Sequence, residues 1–116
     1  MTKDFKEITH AISGPLRKFR VDVPEVMKGF DAMAQAALQD GALNHKTKEL
    51  IALALGVAGH CDACLGFHVR ALVKVGATRM EVEEALAVAV YMGGGPSLMY
   101  AADALSAFEQ YQPPTG

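Results

Sequence analysis

The chain has 116 residues, 51% of them hydrophobic, and 11 Lys and Arg stand against 13 Asp and Glu for a formal net charge of −2. A chain of this size buries roughly 60–70% of its unfolded surface as one domain and needs no disulfide staples. Its charges are interspersed without a basic block, which excludes the footprint of a nucleic-acid binder, and no apolar run reaches the ~20 residues of a membrane span.

Asp4, Lys6, Glu7, Arg17 and Lys18 leave the first twenty residues without the apolar core of a signal peptide, so a cytoplasmic protein is expected. Phe5, Ile8, Ala11 and Ile12 predict a short helix over 3–13, interrupted by Gly14-Pro15. Asp22 is the expected cap of a second helix. Pro24 lies just inside its start, Val26, Met27, Phe30, Met33, Ala34, Ala37 and Leu38 lie along one face, and Gly41 follows its end. Asn44 caps a third. Its residues 50–58 carry no polar side chain, which predicts a helix covered on every side. A fourth helix starts at Cys61 or Asp62 and stops at Gly76. Thr78 and Glu81 form a T-x-x-E capping box for a fifth running to about Met92. After Gly93-Gly94-Gly95-Pro96 a sixth spans roughly Ser97 to Tyr111, and 112–116 reads as a frayed tail. The expected fold is all-α: one bundle of about six helices over 1–116, with its core in about 20–110.

The reactive groups collect between Glu49 and His68, in ELIALALGVAGHCDACLGFH. At about 100° per residue, Cys61, Cys64 and His68 fall within ~60° of one another on a single helix face. Thiol chemistry runs through the thiolate, which a helix N-terminus favours at Cys61, while His68 is placed to take the proton of Cys64. Glu49 shares its helix face with Ala52, Leu53 and Gly56, so partial burial is expected, and a carboxylate so placed beside an imidazole is a candidate proton carrier. Cytoplasmic thiols as close as CDAC point to redox or metal chemistry rather than a structural disulfide. A zinc site using both cysteines, His68 and Glu49 is the metal alternative, although structural zinc usually takes four Cys or His ligands. His10 and His45 read as surface residues. Tyr91 and Tyr100 read as core or interface.

The spacing E-x11-C-x2-C-x3-H, carried by Glu49, Cys61, Cys64 and His68, resembles the signature of the AhpD-like alkylhydroperoxidases of the carboxymuconolactone decarboxylase superfamily. The likeness continues through KELIALALGVAGHCDACLGFHVRALVKVGAT and EVEEALAVAVYMGGGPSLMYAADAL. It implies a thiol-dependent peroxidase or disulfide oxidoreductase in which Cys64 attacks, Cys61 resolves, and Glu49 and His68 relay protons. No bound cofactor or metal is implied. Regeneration falls to an external dithiol, in founding members a lipoyl protein, and the substrate is a hydroperoxide or the disulfide of a partner such as an oxidised peroxiredoxin. Some members carry a histidine just before the second cysteine; here that position is Ala63. The same superfamily implies a lyase alternative, lactone decarboxylation, which does not use a CxxC pair. A non-catalytic interaction protein is a further alternative. The apolar excess of the fifth and sixth helices, with Val88, Tyr91, Met92, Leu98 and Met99, calls for partners, and the resemblance implies a homo-oligomer, trimeric or hexameric.

Overall fold

Side-chain caps set several of the helix starts in the computed structural model, which describes residues 3–114. Its helices are α1 (Phe5–Asp22), α2 (Pro24–Leu38), α3 (His45–Ala58), α4 (Asp62–Lys74), α5 (Arg79–Gly93) and α6 (Gly95–Tyr111), with no strand among the described residues. Asp4 accepts a hydrogen bond from the Glu7 N–H at 3.1 Å and starts α1. Asn44 accepts one from the Thr47 N–H at 2.8 Å and starts α3. The Thr78–Glu81 box is complete in both directions at the start of α5, satisfying two amide donors that the first turn would otherwise leave unpaired. Gly76 has φ 78°, a left-handed conformation costly for any residue with a Cβ, and it turns the chain from α4 towards α5.

Two sequence expectations at the N-terminal end, and one near the C-terminal end, are corrected. The first helix does not stop at Gly14-Pro15 but runs through Pro15 to Asp22. Proline forfeits the hydrogen bond to residue 11; Ala11 is exposed, so its carbonyl can be hydrated instead. Asp22 therefore ends α1 rather than capping α2, and it pairs one turn back with Lys18 at 3.0 Å. The cap position of α2 falls to Val23, which makes no side-chain hydrogen bond, with Pro24 supplying the first-turn geometry. At the far end, α6 begins at Gly95 and takes Pro96 into its first turn rather than restarting after it. The expected fray of the tail falls partly on residues 115 and 116, outside the described ones.

Helices α3 to α6 enclose the core, with Leu53, Val57, Leu65, Val69, Leu72 and Val82 fully buried and Phe5 of α1 inserted among them. Each such side chain contributes roughly 1.5–3 kcal/mol of transfer free energy. Within the single chain, α3, expected to be covered on every side, is open on one stripe, where Ile51 is 45% and Leu55 67% exposed. On α2 the expected apolar face is largely open: Met27 is its one buried residue, and Val26, Phe30 and Met33 face outward. None of the described residues covers those surfaces. Among the described residues no helix is long and apolar enough to cross a membrane.

Candidate redox site

The site is built by the turn that ends α3 and starts α4. The His60 N–H donates to the Val57 carbonyl at 3.2 Å and the Cys61 N–H to the Gly56 carbonyl at 3.0 Å, the paired bonds of a Schellman closure. The left-handed position in this closure, usually a glycine, is His60, with φ 56°. Its ring stacks on that of Tyr100 on α6, with centroids 4.7 Å apart and planes 8° from parallel. Sequence reasoning assigned Tyr100 to core or interface and missed this stack, because nothing in the local spacing links the two residues.

Cys61 closes α3 and caps α4 at once. Its Sγ accepts the Cys64 N–H at 3.2 Å. The two cysteines, whose Cα atoms are 5.2 Å apart, are joined as a disulfide. A sulfur at a helix N-cap faces unpaired amide dipoles, which favour negative charge on Cys61 whenever the bond is opened. Gly56 permits the close approach of α4 here, since a Cβ at that position would stand 3.1 Å from Cys64 Cβ.

Glu49 and His68 meet on the same side of α4. Glu49 is 2% exposed, and its Oε2 lies 3.0 Å from His68 Nδ1. When the carboxylate is ionised it can only accept, and a neutral imidazole in this pair then carries its proton on Nδ1 and offers the Nε2 lone pair. His68 is half-buried and keeps an open edge. The expected burial of Glu49 and its placement beside His68 are both present; Lys46, three residues before Glu49, binds Glu81 at 2.7 Å. His45, read as a surface residue, is half-buried, with its Nδ1 2.7 Å from the Leu38 carbonyl. Among the described residues, no three His, Cys, Asp or Glu side chains are gathered as metal ligands would be.

A second set of charged groups adjoins the disulfide and was not found from sequence. Lys3 Nζ lies 2.9 Å from Asp62 Oδ1 and 2.8 Å from Asp103 Oδ2, and 4.9 Å from the centre of the Tyr100 ring. These partners are remote in the chain, so no motif carries them.

The chain belongs to the carboxymuconolactone decarboxylase family, whose profile matches residues 24–107. A solved family protein from Legionella pneumophila is 60% identical and superposes with a TM-score of 0.92, covering 94% of this chain and 97% of that one. A family protein from Thermotoga maritima, for which a part in an antioxidative response has been suggested, is 29% identical with a TM-score of 0.73, over 84% of this chain and 86% of its own. An uncharacterized protein of Cupriavidus necator is 40% identical over 109 residues, 94% of this chain and 96% of that protein.

Proposed function

We propose that the protein is a thiol-dependent peroxidase or disulfide oxidoreductase of the AhpD-like kind, working through Cys64 and Cys61 with Glu49 and His68 as proton relay. The observation that carries this reading is the Cys61–Cys64 disulfide lying on the helix that presents His68 to the buried Glu49 carboxylate. With a hydroperoxide, the Cys64 thiolate forms a bond to one peroxide oxygen as the O–O bond breaks. The departing alkoxide takes a proton relayed through His68 and leaves as the alcohol. Cys61 then attacks the Cys64 sulfenic acid, forming the disulfide and releasing water. The two thiols have supplied two electrons, and an external dithiol, such as a lipoyl protein, returns them.

The N-cap position of Cys61 fits its part in that cycle. An incoming thiolate that attacks Cys64 expels Cys61, and a sulfur held at amide dipoles is the better leaving group. The suggested antioxidative part of the Thermotoga relative agrees in direction.

Assembly belongs to the same reading. The exposed Ile51 and Leu55 of α3 stand between two apolar grooves of about 350 and 290 Å³, the second walled by Ala85 and Val88 of α5. Further copies of the chain are the proposed cover, giving a trimer or hexamer.

The activity is tested by mixing reduced protein with cumene hydroperoxide and following thiol loss. Wild type consumes two thiols per peroxide, and Cys64→Ser consumes none at a comparable rate. Undiminished peroxide reduction by Cys64→Ser would overturn the assignment.

A further inference from the structure

We propose that Lys3 is a positioning residue of the redox centre: its ammonium group, shared with Asp103, partly offsets the charge of Asp62, the carboxylate between the two cysteines, which would otherwise oppose thiolate formation more strongly. The inference rests on the thiol-redox reading above. Asp62 is the first residue of α4, directly after Cys61 and two before Cys64. A carboxylate there suits the helix dipole but repels a thiolate in the same turn. Lys3 binds it at 2.9 Å and Asp103 of α6 at 2.8 Å.

Lys3 is not a loose terminal side chain. Gln110 Nε2 donates to the Lys3 carbonyl at 2.7 Å, and the Phe5 N–H donates to Gln110 Oε1 at 2.8 Å, so α6 holds the backbone on both sides. The ammonium also lies over Tyr100, whose ring stacks on His60, the residue before Cys61. One side chain thus touches the first residue of α4 directly and the turn before it through an aromatic ring.

The charged and titratable groups on the elements that meet at the CDAC turn are Lys3 from before α1, Glu49 from α3, His60 from the turn, Asp62 and His68 from α4, and Tyr100 and Asp103 from α6. Lys3 is the member of this set that carries a positive charge throughout the range in which thiols ionise. Its hydrogen bonds to Asp103 and then to Asp62 hold the ammonium well above the ordinary lysine value of 10.5. The triad is partly open, with Lys3 38% and Asp62 39% exposed, so salt should weaken its effect.

The test is the rate at which iodoacetamide alkylates the reduced protein as a function of pH, at low and high salt, with folding checked by circular dichroism. Lys3→Met should react ~5-fold more slowly near neutrality, with its pH profile moved upward, and most of the difference should vanish in high salt. Asp62→Asn should react at least as fast as wild type with its profile moved downward, the double variant should fall between, and Lys3→Arg should restore the wild-type rate. A folded Lys3→Met with the wild-type rate and profile, or one whose slowing ignores salt, would overturn the Lys3 role alone. Wild-type thiols reacting no faster than those of an unfolded peptide would instead sink the redox reading on which it rests.

Discussion

Replacing Glu49 with glutamine separates a proton relay from a structural ion pair. The amide has nearly the volume of the carboxylate, so no cavity forms in a site that is 2% exposed. Its Oε1 can still accept from His68 Nδ1, 3.0 Å away. What changes is charge and the capacity to exchange a proton. Weakening a charge-assisted hydrogen bond to a neutral one costs about 1 kcal/mol, and removing a buried carboxylate recovers a desolvation penalty of similar or larger size. Stability should therefore move by no more than ~1–2 kcal/mol in either direction. A relay residue contributes ~10²-fold or more in rate, equivalent to about 2.7 kcal/mol of barrier, so turnover falls in a protein that stays folded. The assay is peroxide-dependent oxidation of a dithiol at saturating dithiol, run beside thermal unfolding of the same sample. Wild-type turnover in a folded Glu49→Gln would refute the relay, and a collapse of the thermal midpoint with activity per folded molecule preserved would make the pair structural.

Two further outcomes follow from the geometry. At His60, alanine removes the stack on Tyr100 but keeps the left-handed strain, whereas glycine removes both, so His60→Gly should be more stable than His60→Ala by about 1 kcal/mol in urea unfolding; the reverse order would show that the turn is not strained. Sedimentation equilibrium should return a multiple of the 12.3 kDa chain mass corresponding to a trimer or hexamer, and a concentration-independent 12.3 kDa would show that the open faces of α2 and α3 need no cover.

The parts of this molecule legible in its sequence are those set within a few helical turns. Cys64 and His68 share a face because a helix repeats every 3.6 residues, with Cys61 at the cap joined to Cys64, and Glu49 reaches His68 across the packed pair of consecutive helices α3 and α4. Asn44 and the Thr78–Glu81 pair act on amides three residues away, which spacing alone can show. Pro15 was misread because its penalty depends on whether the freed carbonyl meets water, which is a property of the packed molecule. Asp22 carries the right chemistry for a cap, yet α1 continues and claims it. Periodicity identified the apolar stripe of α2 and the all-round apolarity of α3, but it identifies a stripe and not what covers it, and both helices have open faces in the single chain. Lys3, Asp62, Asp103 and Tyr100 are joined only by the fold that returns α6 to the start of the chain, and no local signal anticipates them.

The claim that Cys61 and Cys64 are a working redox pair is tested most directly by mass spectrometry of the reduced protein before and after one equivalent of hydroperoxide, and again after a dithiol. A loss of two daltons confined to the peptide spanning 61–64, formed within one chain and reversed by the dithiol, is the predicted result. Two free thiols after peroxide, or oxidation that stops at a sulfinic acid with no bond between the two cysteines, would contradict it.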